Sequence, residues 1–232
     1  MALPKLNTQT FELNVPSSDQ KVKFRPFLVK EEKVLLQAQQ SEKAEEMADA
    51  LVQVIKNCTF DKLKADTLPS FDIEYIFLKI RSKAVGEKVK LNLPFPGDED
   101  VKVPTTVDLS KVEVHVSEEH TNKINLTDSV SVVMRYPTIK TFSGIKVDKL
   151  TAEDAVDMTS RCIYQVENGV ETYEAADLSK EEKQEFIENL TQDQFANIQK
   201  FFTTMPKLSH TVTLTHPKTK KKAKYKLEGM QS

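Results

Sequence analysis

Apolar and polar positions alternate with period two at the start of the chain, and the pattern fixes its first element. Phe11, Leu13 and Val15 fall on one side of residues 10–15, and Val22 and Phe24 on one side of residues 21–25, with the turn-forming PSSDQ between the two runs. This predicts a β-hairpin. Pro26 ends the alternation, and FLVKEEKVLLQAQQ predicts a helix whose apolar positions are Phe27, Val34, Leu35 and Ala38. A second helix is expected from an N-cap at Ser41. It should bury Ala44, Met47, Ala48, Leu51, Val54 and Ile55, which share one face about 100° wide.

The stretch SFDIEYIFLKIRSKAVG, residues 70–86, organises the pattern around itself. At 100° per residue, Ile73, Ile76, Phe77, Ile80 and Ala84 lie on one face, and Phe71, Tyr75 and Leu78 on the opposite one. Two apolar stripes predict a helix packed from both sides. Ser70 is the expected N-cap, with Asp72 and Glu74 at the positive end of the dipole. Arg81 and Lys83 stand at the negative end, and Gly86 is placed to take a left-handed C′ conformation.

From Glu87 the period returns to two. VKLNLPF, VKVPTTVDL, VEVHV, INL and VSVVMRY read as short strands, with FPGDEDV as the first turn. Helical signals resume after Pro137: Thr151 with Asp154 before AVDMTSRC, Ser179 with Glu182, and Thr191 with Gln194, the last reinforced by a staple between Leu190 and Phe195. Asn168-Gly169 separates two strand-like runs and signals a hairpin. The chain closes on SHTVTLTH and KAKYKLEG around the basic turn PKTKKK. The reading is an α+β protein with an N-terminal β-hairpin plus helices (1–86), a β-rich middle module (87–136), and C-terminal helices with a β-hairpin (137–232). Whether the three modules share one core is left open.

Composition narrows the classes. With 39% hydrophobic and 29% charged residues over 232 positions, the chain can bury a core. A net charge of −2 gives no bulk attraction to nucleic acid or membrane. No apolar run approaches the roughly 20 residues that span a bilayer, and MALPKLNTQTFELNV lacks the basic and apolar regions of a secretory signal. Cys58 and Cys162 sit apart in apolar sequence and read as buried free thiols of a cytosolic protein. Five glycines, with no GxGxxG or GxxxxGK[ST], leave no phosphate-cradling loop.

The remaining chemistry is thin. His115 and His120 flank Glu118 and Glu119, but residues five apart on a strand point to opposite faces. His210 and His216 share a face, yet stand about 20 Å apart if extended. These residues predict no metal site, no cofactor and no catalytic set. The run KTKKKAKYK, Lys218–Lys226, is the one dense basic patch. It reads as a solvated edge-blunting turn, with phosphate contact as the rival. On the last helix Phe195, Ile198 and Phe202 form one stripe. Phe201 falls off that stripe and is a candidate partner contact.

Three stretches carry a resemblance: MALPKLNTQTFELNVPSSDQKVKFRPFLVKEEKVLL, FDIEYIFLKIRSKAVGE and KYKLEGMQS. RPFLVKEEK (residues 25–33) and FDIEY (residues 71–75) are its most specific pieces. Together they resemble the baseplate hub assembly proteins of T4-like tailed bacteriophages. The resemblance implies a non-enzymatic, chaperone-like factor that binds phage hub proteins in the host cell cytoplasm, with no small-molecule substrate; the charge and hydropathy of the chain disfavour a nucleic-acid partner and give no membrane partner. A structural hub component retained in the virion tail baseplate is the alternative, and a nucleic-acid-binding accessory protein using Lys218–Lys226 is a more distant one. Arg25, Phe27, Glu31, Phe71, Tyr75 and Arg81 are placed on or beneath the partner surface, with a purely structural role open for each. Some members of that family carry CxxC pairs in hairpins matching residues 93–101 and 214–222. Both segments here lack cysteine, so the hairpins are expected to keep a ribbon-like shape without metal.

Overall fold

Hydrogen bonding closes the first alternation as a two-stranded antiparallel ribbon, β1 (Phe11–Asn14) with β2 (Lys21–Phe24), in the register Phe11↔Phe24 and Leu13↔Val22. The computed structural model describes residues 7–142 and 151–229. Among these residues, six helices and eleven strands in short antiparallel sheets make an α+β fold. Three helices follow the ribbon: α1 (Val29–Ser41), α2 (Ala44–Cys58) and α3 (Ser70–Val85).

Two expected caps move. Ser41 is the last residue of α1, where its hydroxyl donates to the Ala38 carbonyl at 2.8 Å, and Lys43 is the N-cap of α2. The buried face of α2 is Ala50, Leu51, Val54, Ile55 and Cys58, whereas Ala44 in its first turn is exposed. Ser70 likewise falls inside α3, whose N-cap is Pro69. Pro69 fixes its own φ and carries no side-chain acceptor, so it starts the helix by geometry rather than by hydrogen bonding.

The two-sided packing of α3 is present. Phe71 from one stripe and Ile73, Ile76 and Ile80 from the other are all at most 3% exposed. Asp72 is buried as well. It accepts hydrogen bonds from the Ser17 N–H (3.0 Å) and from the Ser17 hydroxyl, so it ties the hairpin turn to the helix. Gly86 ends α3 with φ 110° and ψ 153°. The positive φ fits the expectation, but the residue is extended rather than left-handed helical, a region open in practice to glycine alone.

Two further hairpins complete this part of the chain: β3 (Lys88–Phe95) with β4 (Asp98–Asp108), and β10 (Lys207–Thr215) with β11 (Lys222–Glu228). Their ends meet. Leu93, Phe95 and Leu214 form a small core, and the buried His216 ring stands edge-on to Phe95 at 5.0 Å. His216 Nδ1 accepts from the Lys218 and Thr219 N–H groups, both at 3.1 Å, so its proton sits on Nε2 and is donated to Asp98 Oδ2 at 3.3 Å. These are the two hairpins that lack cysteine, and side-chain packing with one hydrogen bond holds them together.

The remaining strands are β5 (Glu113–His115), β6 (Lys123–Asn125), β7 (Val130–Met134), β8 (Ile163–Asn168) and β9 (Glu171–Glu174). The remaining helices are α4 (Ala152–Cys162), α5 (Lys180–Glu188) and α6 (Gln192–Thr204). The described residues within Met1–His115 and Lys207–Ser232 form one compact unit, and those within Val116–Pro206 a second. These boundaries differ from the three modules drawn from periodicity. The C-terminal hairpin belongs to the first unit because Lys207–Ser209 of β10 pair with Glu113–His115 of β5, a long-range ladder to which periodicity is blind.

In the second unit β6, β7, β8 and β9 form one sheet in that order. Capping boxes at Thr151–Asp154, Ser179–Glu182 and Thr191–Gln194 start α4, α5 and α6 as expected. In the β8–β9 turn Asn168 pairs with Glu171, which makes Gly169 (φ 61°) and Val170 the central residues. Glycine at the first central position is the type II′ arrangement. Val132, Cys162, Ile163 and Ile198 are fully buried in this unit's core. Phe201 joins them at 2% exposure, which corrects its placement off the core: with Ile198 it forms the innermost line of α6, while Phe195 and Phe202 flank it half-buried.

Candidate functional site

The residues expected at a partner surface separate into two groups once placed. Arg25 and Glu31 form a buried pair. The guanidinium meets the carboxylate through two bonds, Nη2 to Oε1 at 2.9 Å and Nη1 to Oε2 at 3.2 Å, and Glu31 Oε2 also accepts the Leu28 N–H at 2.8 Å. Burial alone would raise the Glu31 carboxyl. The bonds from Arg25 and Leu28, with the charges of Arg25 and Lys30, outweigh it and hold the group below the ordinary carboxylate range. Phe71 is core. Phe201 packs against Phe202, His120 and Tyr136 with ring centroids 5.2, 5.3 and 5.6 Å away. These four residues lie beneath the surface and hold the fold.

Phe27, Tyr75 and Arg81 are half-buried and reach the surface. Tyr75 borders a concavity of about 340 Å³ with Phe11, Phe24, Lys79 and Lys83. The lysines there are committed. Lys79 Nζ lies 5.0 Å from the centre of the Tyr75 ring and donates to the Ser110 and Val112 carbonyls at 3.0 and 3.2 Å, and Lys83 pairs with Glu87.

Arg81 differs. It lines a cavity of about 330 Å³ on the other side of α3, walled by Phe77 and Leu78 of the helix, by Leu91 and Val107 of the β3–β4 hairpin, and by Leu208 and Leu227 of the C-terminal hairpin. Among the described residues Arg81 forms no hydrogen bond or ion pair, and neither does the His210 side chain on the same wall. Among the described residues that line the cavity, none carries a carboxylate. A half-buried guanidinium in apolar surroundings has lost part of its hydration and regained no partner, so the cavity favours an anion. Phe77, Leu78, Arg81 and His210 are the candidate site. The sequence reading reached Arg81 but not the walls, which come from strands far apart along the chain.

A third cavity, about 310 Å³ in the second unit and lined by Val130, Ile163, Val166, Tyr173 and Phe186, is apolar. Its two charged neighbours are used: Glu182 caps α5 and Lys183 donates to the Ala175 carbonyl at 3.4 Å.

The other chemical candidates resolve into structure. Thr204 gives its hydroxyl proton to the Lys200 carbonyl (2.7 Å), so it accepts from His120 Nδ1 at 3.0 Å, and His120 Nε2 accepts from the Tyr136 hydroxyl at 3.0 Å. Burial lowers the His120 pKa, in keeping with this neutral tautomer. Among the described residues no cluster of three or more His, Cys, Asp or Glu side chains is arranged to hold a metal ion. Lys222, Lys224 and Lys226 stand exposed along β11, the outer strand of its sheet, opposite Thr215, Thr213 and Thr211. Tyr225 points the other way with Ala223 and Leu227 and is packed against the small core, which removes it as a stacking platform beside the lysines.

The site and fold thus define an α+β protein with an apolar, cation-bearing cavity of its own on the central helix. Residues 7–232 match the family described as T4 bacteriophage base plate protein, and the chain belongs to that family. No curated protein and no solved structure matches the chain. Of the three resembling stretches, the first six residues and the last three lie outside the described residues. No helix among the described residues is long and apolar enough to cross a membrane.

Proposed function

We propose that this protein acts in building the baseplate hub: it binds hub subunits in the host cell cytoplasm and promotes their ordered assembly, without catalysing a covalent reaction. The observation that supports this reading best is Arg81, without a partner among the described residues, in an open apolar cavity on a member of a baseplate family. A protein whose role ended with its own fold would gain stability by filling such a cavity and pairing or replacing the charge. The cavity is therefore read as a place kept for a partner. A structural hub component retained in the virion would need the same surface, and the two readings differ in the fate of the protein.

The deciding experiment is affinity purification of the tagged protein from infected cells, with mass spectrometry of co-purifying proteins and of mature particles. Recovery of hub subunits with the protein absent from finished tails is the expected result. A fixed copy number in mature tails would replace the assembly role with the structural one. Recovery of no baseplate protein from either source would sink both.

A further inference from the structure

We infer that the Arg81 cavity seats an apolar side chain of a partner polypeptide together with a carboxylate beside it, the carboxylate pairing with Arg81. This rests on the reading that the chain binds baseplate subunits. Three features give the ligand its chemistry. Most of the wall is apolar, from Phe77, Leu78, Leu91, Val107, Leu208 and Leu227. The volume of about 330 Å³ lies at the small end of ligand cavities, roughly 300–1,000 Å³, and suits one large side chain with its polar neighbour better than a nucleotide. The polar side chains on the wall, the Arg81 fork, the His210 ring and the Ser209 hydroxyl, have no hydrogen-bond partner among the described residues, and Arg81 has no carboxylate among them to pair with.

A planar guanidinium matches a carboxylate through two parallel hydrogen bonds, and a desolvated setting strengthens both. An apolar anchor in a pocket, flanked by a fully paired charge, is the arrangement that dominates binding at protein interfaces. Glu74 sets the direction. It stands two turns before Arg81 on α3, about 10 Å along the axis, and its Oε2 would lie 3.9 Å from a side chain built at Gly229, a residue of the cavity wall. Protonated or ionised, a buried carboxyl without a partner among the described residues offers an anion no counter-charge at that end, which leaves Arg81 as the anion's position.

The test uses the full chain and two probes that differ only in charge, N-acetylphenylalanine and its uncharged amide, followed by NMR at the Arg81 side chain and the His210 ring. The carboxylate form is expected to move both signals and to bind about tenfold more tightly than the amide, the loss typical of one charge-assisted pair. Arg81→Gln should abolish the difference and Arg81→Lys should retain part of it, with thermal melts confirming that both variants fold. Equal binding of the two probes, or no shift with either, overturns the inference.

A second arm separates it from the assembly reading. Tagged Arg81→Gln from infected cells should recover baseplate subunits about tenfold less than the unaltered protein. A Lys222→Gln, Lys224→Gln, Lys226→Gln variant should recover them normally. If Arg81→Gln recovers the same subunits in full, the cavity is not the seat and the inference falls while the assembly reading stands. If the unaltered protein recovers none, the assembly reading falls and takes the inference with it.

Discussion

Glu31 and Glu74 belong to the same unit, yet burial acts on them with opposite outcomes. Glu31 is 1% exposed and is held ionised by Arg25. Removing one partner of such a pair strands the other charge away from water, which typically costs about 3–5 kcal/mol. Glu31→Gln keeps the shape and some hydrogen bonding, so a loss of about 3 kcal/mol in urea unfolding at neutral pH is the expected outcome. Because its folded pKa is depressed, the contribution of Glu31 is present above the unfolded carboxylate pKa and fades as pH falls through the lower folded value. The gap between the unaltered protein and Glu31→Gln should therefore narrow only in acid. Glu74 has its pKa raised by burial, with no bond to offset it. Its folded state prefers the proton: the stabilisation is complete below the unfolded pKa and is lost as pH rises through the folded one. Glu74→Gln should consequently melt higher than the unaltered protein at neutral pH, and that advantage should shrink as the pH falls through the raised folded pKa and be gone below the unfolded value of about 4.3. A melting advantage that does not change with pH would show that the Glu74 carboxylate is not strained by burial.

At the scale of elements, the caps show how far local sequence carries and where it stops. Thr191 caps α6 through its hydroxyl, which accepts the Gln194 N–H at 3.3 Å, while the Gln194 side chain accepts the Thr191 N–H at 2.9 Å. Thr191→Ala should cost about 1 kcal/mol. Ser70 has the residue type of a cap but lies inside α3 after Pro69, so Ser70→Ala should change stability by no more than about 0.5 kcal/mol. Parallel urea titrations of the two variants check both expectations, and equal losses would overturn the assignment of Pro69. The hairpin of Phe11 with Phe24, the two stripes of α3 and the three capping boxes were legible because each is written within a few residues of itself. Phe201 was not. A single stripe drawn on α6 assumes contact from one side, whereas the His120 and Tyr136 rings pack on Phe201 and widen the buried face of that helix. The candidate site was legible as one residue only. Arg81 announces a charge at a helix end, but the cavity around it exists because β10 pairs with β5 across more than ninety intervening positions. No local pattern encodes that ladder.

The whole molecule is an insertion: His115 and Lys207 are paired neighbours in the first unit, and the chain between them builds the second. Each unit carries one thiol buried to 0% exposure, Cys58 in the first and Cys162 in the second. Burial raises their pKa values to about 11 and about 12, so at mildly alkaline pH neither thiol reacts until its surroundings open. The two thiols therefore report unfolding unit by unit. With pulsed thiol labelling along a urea series and assignment by peptide mass spectrometry, two compact cores are expected to give two transitions. The first unit also contains the Arg25–Glu31 pair, with Arg25 Nη1 3.8 Å from the Cys58 sulfur. Glu31→Gln should thus move the Cys58 transition to lower urea and leave that of Cys162 in place, since substitutions without shared partners act independently. Equal displacement of both transitions would mean that the chain folds as one cooperative body. The insertion would then be a feature of its topology alone.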